Sequence, residues 1–248
     1  MAEERPPRWG LIKASYQAAW ICFLDLRIAT AVAILVQFGT EFFVCFGHDP
    51  GSSRDTIAGL MCEAIRAIAL SPYAILIHRW IILQDESREY FATALAPRAL
   101  RFIGVSLLFV LAQVIVDGLS ALERFSGWFF LLTLITAVTS LVAVIRLSLV
   151  FPIIAVDGSK MPFADSFRIT RGSAWWIGWT FLLASAPLIF VAIGFYFAQP
   201  RLSGGLAAVP MAAEAVWSAF AYAVTVALAS YLYRTRADWA RPVAAAGG

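Results

Sequence analysis

Six long apolar stretches, at about 27–47, 58–82, 101–120, 127–151, 174–197 and 211–233, leave this 248-residue chain few ways to fold. A helix needs roughly 20 mostly apolar residues to cross ~30 Å of hydrocarbon, where the backbone must satisfy its own hydrogen bonds. Each stretch reaches or passes that length. With 61% of residues hydrophobic and 14% charged, and a mean hydropathy of +0.78, a water-soluble domain of this size has no means of hiding the apolar surface. The expected fold class is all-α: a polytopic helical membrane protein with six transmembrane helices, forming a single domain over residues 1–248.

Orientation follows from the basic residues, which resist translocation. One side of the predicted topology holds Arg5, Arg8, Lys13 and Arg27, then Arg79, Arg88, Arg98 and Arg101, then Lys160, Arg168 and Arg171, then Arg234, Arg236 and Arg241. The other side holds only Arg54, Arg124 and Arg201. Both termini are therefore expected to be cytoplasmic. The amino-terminal run containing Pro6 and Pro7 lacks the apolar core and small-residue cleavage site of a secretory signal, so the first span is expected to be retained.

Before that span, Trp9, Ile12, Tyr16, Trp20 and Phe23 recur at spacings of three and four, the pattern of an amphipathic helix lying in the headgroup region, with a simple extension of the first span as the alternative. The two longest cytoplasmic connectors, 83–100 and 152–172, align without a gap at an offset of 72. Ile81, Ile82, Asp85, Ser87, Phe91 and Ala92 match Ile153, Ile154, Asp157, Ser159, Phe163 and Ala164, and Arg88 faces Lys160. The repeat predicts a duplicated span, connector, span unit in which each connector carries a short surface helix, capped by the Asp or Ser side chain and, in the second copy, opened by Pro162. Pro72 and Pro187 fall inside spans and Pro152 is expected to end one.

The run from Arg146 to Ser159, followed by Phe163 to Gly172, together with His78-Arg79-Trp80 and Leu100-Arg101-Phe102 in the first copy, resembles a group of six-span bacterial membrane proteins of unassigned activity. That group is similar to the membrane domain attached to some glycerophosphodiester phosphodiesterases. The resemblance implies the architecture and a bacterial inner-membrane location, with no catalytic residues to carry over.

Charge inside a bilayer is costly and points to function. At about 1.5 Å per residue, Glu41 lies about 9 Å, Glu63 about 8 Å and Arg66 about 12 Å inside the outer ends of their spans. Asp117 and Glu214 are expected at a similar level, so the five residues form a candidate polar cluster. The alternative reading is an i, i+3 pair of Glu63 with Arg66 while the other carboxylates reach headgroups. On the cytoplasmic side Arg88, Arg98, Arg101, Arg146, Lys160, Arg168 and Arg171 are candidate contacts for anionic lipid headgroups. Arg146 is expected to snorkel, or to share a face with His78.

Cys22, Cys45 and Cys62 lack ligand spacing. They read as buried thiols, with a Cys45–Cys62 disulfide as the alternative. His48 and Asp49 sit in an Asp-Pro-Gly turn rather than a metal site. No His-Glu-x-x-His, Gly-x-Ser-x-Gly or phosphate-binding glycine loop is present. No catalytic residue, metal or cofactor is therefore assigned, and nucleic acid is not an expected partner at a net charge of +3. Trp175, Trp176 and Trp179 read as an interfacial aromatic anchor. The expected function is non-enzymatic organisation of lipid or partner proteins at the cytoplasmic leaflet, with membrane lipids and a possible second copy or other membrane protein as partners. The alternative is a small transporter or ion-coupled permease using Glu41, Glu63 and Arg66.

Overall fold

A computed structural model describes residues 7–46, 53–122, 127–157, 159–198 and 208–245. Among them the chain forms ten helices and no strand: α1 Arg8–Asp25, α2 Arg27–Phe46, α3 Ser53–Leu83, α4 Tyr90–Leu95, α5 Pro97–Leu122, α6 Gly127–Leu147, α7 Val150–Ala155, α8 Pro162–Ile169, α9 Ala174–Ala198 and α10 Ala208–Ala245. Five segments are long and apolar enough to cross a membrane: Ala58–Leu83, Pro97–Val116, Phe130–Ala155, Ala174–Phe195 and Ala208–Arg236. A sixth is obtained if Arg8–Asp25 and Arg27–Phe43, which meet at a 97° bend, count as one. The chain is thus an all-α, multi-pass membrane protein.

α1 packs lengthwise on α10 and runs antiparallel to it: Arg8 shares the Trp176 ring with Arg236 of α10, while Tyr16, Trp20 and Phe23 meet Phe220, about four helical turns further back along α10. The Tyr16 hydroxyl also donates to the Ala184 carbonyl of α9 at 2.8 Å. The stripe is only partly turned inward: Ile12 is buried, and Tyr16 and Phe23 pack at the edge of the core. Trp9 and Trp20 point out, and the buried residues are Leu11, Ile12, Ser15, Ala18, Ala19 and Cys22. The reason is steric. Where lipid already solvates bulky apolar groups, small side chains decide which helix faces approach closely.

α10 supplies the matching surface. Ala215, Ala219, Ala223 and Ala227 recur every four residues and are fully buried, giving a flat strip on one face of the helix. Ala29 and Ala33 of α2 and Tyr73, Ala74 and Ile77 of α3 belong to the same core. The Tyr73 ring stacks on Tyr222 with centroids 6.4 Å apart.

Pro152 does not end its span where expected. α6 breaks at Ser148–Leu149 and the chain resumes as α7, with Pro152 buried inside it. Proline has no N–H for the Ser148 carbonyl, and its ring crowds that carbonyl, so the defect lies four residues upstream. The Ser148 hydroxyl turns back onto the Ile145 carbonyl at 2.8 Å. Pro72 and Pro187 are accommodated within α3 and α9.

The repeated connectors share their boundaries as well as their residues. Leu83 ends α3 and Ala155 ends α7, Tyr90 starts α4 and Pro162 starts α8, each pair at the offset of 72. Left-handed residues follow both helix ends, Gln84 at φ 55° and Asp157 at φ 51°, as is usual where a helix stops. The capping expectation fails. Asp85 accepts the Ser87 amide at 3.0 Å and the Ser159 hydroxyl accepts the Met161 amide at 2.9 Å, so both side chains build turns ahead of the helix. The helices themselves start at Glu89 and Met161 with no side-chain cap. Phe91 and Leu95 of α4, like Phe163 and Phe167 of α8, are exposed as apolar pairs.

Candidate functional site

The polar cluster forms around Arg66. Its Nη2 donates to Glu41 Oε1 at 2.5 Å, its Nη1 to Glu63 Oε1 at 2.8 Å and its Nε to the Thr40 hydroxyl at 2.7 Å. The Arg66 side chain keeps 19% exposure, Glu41 30% and Glu63 53%. α2 and α3 make this possible because Thr40 and Glu41 lie one helical turn beyond Gln37 on the α2 face that meets α3. The i, i+3 pair and the interhelical pair therefore coexist on one guanidinium. Glu214 is half-buried near the start of α10 and is not part of the cavity wall described below. The side chain of Asp117 lies outside the described residues, as do Cys45, His48 and Asp49. Cys62 is a buried free thiol, as is Cys22.

Arg66 and Glu63 stand at one end of a cavity of about 650 Å³, a size typical of small-ligand sites. α3 and α10 form one wall through Ala67, Leu70, Tyr222, Thr225, Val226 and Ala229. α5 contributes Phe102, Ser106 and Phe109, α6 Leu141 and Val144, and α9 Gly178, Phe181 and Ser185. Gln37 joins the Arg66 end, and His78, Ser148 and Phe151 close the other. From Glu63 to His78 the α3 wall is about 22 Å long at 1.5 Å per residue. A chamber with apolar sides and polar ends is suited to an elongated amphiphile.

The cavity exists because α6 stands off. Only 11% of its span window is buried, against 50% for the α3 window and 56% for the α10 window. α6 touches α9 closely at one point, where a Cβ on Gly178 would come within 2.8 Å of Ile145 Cδ1. The α5 side is filled by rings: Phe102 and Phe109 lie 4.8 and 5.4 Å from Phe151.

His78 belongs to this chamber and not to Arg146. Its Nδ1 is 2.7 Å from the Ser230 hydroxyl, which itself donates to the Val226 carbonyl at 2.9 Å. Since that proton is used, Ser230 accepts from His78 Nδ1–H, and Nε2 is the acceptor nitrogen of the ring. Arg146 places its guanidinium 5.7 Å from the Phe167 ring centroid, and its carbonyl accepts the Ser166 hydroxyl at 2.6 Å. It ties α6 to α8.

The cations of the two connectors are largely paired. Arg88 lies 4.0 Å from Asp25, Arg98 and Arg101 lie 3.4 and 4.0 Å from Asp157, and Arg168 lies 2.6 Å from Asp165. Lys160 and Arg171 are exposed. Asp157 of the second repeat thus reaches into the first, while Asp85 pairs within its own copy, its Oδ2 accepting from both Nη2 and Nε of Arg79 at 2.6 and 2.8 Å. The Ser87 amide, and then Arg79, hold the Asp85 carboxyl below its ordinary range. Of the expected tryptophan anchor, Trp175 is exposed and Trp179 partly so, whereas Trp176 is buried beneath Arg8 and Arg236.

No sequence signal marks the cavity itself. Its aromatic residues carry no diagnostic spacing, and Ser106, Ser185 and Thr225 read as ordinary helix positions. No family model matches the chain, and no curated protein or solved structure shows significant similarity to it.

Proposed function

We propose that this is a bacterial inner-membrane protein, with both termini cytoplasmic, that binds a lipid-like amphiphile in the cavity between α3, α5, α6, α9 and α10. Binding rather than chemical conversion is its role in this reading, and membrane lipids are its first partners. The observation that carries it is the chamber of about 650 Å³ with apolar sides and polar ends. The excess of basic residues on the connectors supports the orientation, and the likeness of Arg146–Gly172 to the six-span bacterial group supports the location. Lys160 and Arg171, together with the weakly paired Arg88 and Arg101, are the headgroup contacts, since Arg98 and Arg168 are engaged more closely by carboxylates.

A second reading, a small permease, draws on one specific observation: Glu41, Glu63 and Arg66 converge instead of pointing to separate faces, and two of them line the cavity. The same chamber serves both readings. They differ in whether its occupant leaves on the side it entered.

Native mass spectrometry of the protein released from membranes with its lipids tests the binding. A bound amphiphile is expected on the wild type and is expected to be lost when Ser106→Phe and Ser185→Phe fill the chamber from two walls. The same adducts on both proteins would contradict it. Uptake of the released molecule into sealed proteoliposomes separates the permease from the static binder.

A further inference from the structure

We propose that the chamber selects an amphiphile with a cationic amine or ammonium end, seated at Glu63 with its chain running past the aromatic wall toward Phe151. The inference rests on the cavity reading above and adds the chemical class of the occupant.

The charge count points that way. Among the described residues Arg66 is the only Lys or Arg on the cavity wall, and each of its three nitrogens already donates to Glu63, Glu41 or Thr40. Two carboxylates around one guanidinium leave the cluster with a formal charge of −1 when both are ionised. An anionic headgroup arriving at this end meets a cation already neutralised and a carboxylate that repels it. An ammonium meets Glu63, the more exposed of the two carboxylates and the one on the wall. At the far end His78 is committed to Ser230, which offers an anion no full positive charge.

The walls match the rest of such a molecule. Phe102, Phe109, Phe151, Phe181 and Tyr222 present ring faces and edges along the chamber, and ring faces attract cations as well as packing against alkyl chains. Gln37, buried beside the cluster, adds a neutral amide that accepts from an N–H.

The test uses the full chain in nanodiscs and three probes of one alkyl length: an alkyl trimethylammonium, an alkyl sulfate and a neutral alkyl maltoside, with affinities measured by calorimetry. The ammonium is expected to bind about tenfold more tightly than the sulfate, and Glu63→Gln to weaken the ammonium by about tenfold while leaving the maltoside unchanged. Glu63→Gln keeps shape and half the hydrogen-bonding capacity, and Arg66 retains Glu41. Its melting temperature in the same nanodiscs checks that it is folded. Equal or tighter sulfate binding, or a Glu63→Gln protein that still prefers the ammonium, overturns the charge selection while the chamber reading stands. Failure of all three probes to bind, or undiminished binding by the Ser106→Phe, Ser185→Phe protein, overturns the chamber reading and this inference with it.

Discussion

α10 and α6 are both long enough to cross a bilayer, yet they are built for opposite surroundings. α10 carries the alanine strip at 215, 219, 223 and 227, the buried Ser230 and contacts to α1, α2, α3 and α9. α6 carries Phe130, Leu131, Leu134, Ile135, Val138 and Leu141, all exposed, and packs on α5, α8 and α9. The more apolar helix is the less buried one. In water that ordering would be perverse, but lipid tails are as apolar as leucine, so an outer helix needs only to be greasy while an inner one needs close approach and satisfied polar groups. A helix so weakly held also leaves space beside it, and the cavity occupies that space.

The contrast breaks most visibly if bulk is added to the inner strip. Ala227→Leu is expected to cost about 3 kcal/mol, because nothing around a fully buried alanine can yield without moving a helix. A fall in the melting temperature and loss of a monodisperse peak in detergent would register it. Next in size, Ser230→Ala strands His78 Nδ1–H inside the bundle and is expected to cost about 2 kcal/mol, measured the same way.

A smaller effect belongs to the connector. Asp85 has its folded pKa lowered from the ordinary 3.8, so its stabilisation is complete above that value and fades as the pH falls through the lower folded pKa. Asp85→Asn is expected to lower stability by at most about 1 kcal/mol at pH 7, and melting curves of the two proteins should converge in acid below the ordinary carboxyl range. On α6, Ile135→Ala is expected to change stability by less than about 0.5 kcal/mol. A loss as large as that of Ala227→Leu would show that α6 is held by contacts beyond this bundle.

What the sequence disclosed follows the same physics. Five spans stand within a few residues of their expected positions because apolar runs of that length have no other outlet. Depth arithmetic brought Glu41, Glu63 and Arg66 to one level, and they meet. The repeat at an offset of 72 anticipated that α4 and α8 begin at equivalent positions, although the Asp-x-Ser runs lie ahead of both starts. The stripe of α1 marked Ile12, Tyr16 and Phe23, whereas Ser15, Ala18, Ala19 and Cys22, buried beside them, are too small to stand out in an apolar pattern. The α10 strip was equally visible as four alanines spaced by four, but small residues leave little trace in hydropathy. The crossing of Asp157 to Arg98 and Arg101, and the gap beside α6, arise from packing between distant segments and have no local sequence signal.

The most direct measurement is an electron cryomicroscopy map of the protein in lipid nanodiscs, with an antibody fragment as a fiducial. Elongated density between α6 and the α3–α10 wall, reaching from Glu63 toward Phe151, is the predicted result. A map in which Leu141 and Val144 pack directly against α3, with no room between them, would contradict the account.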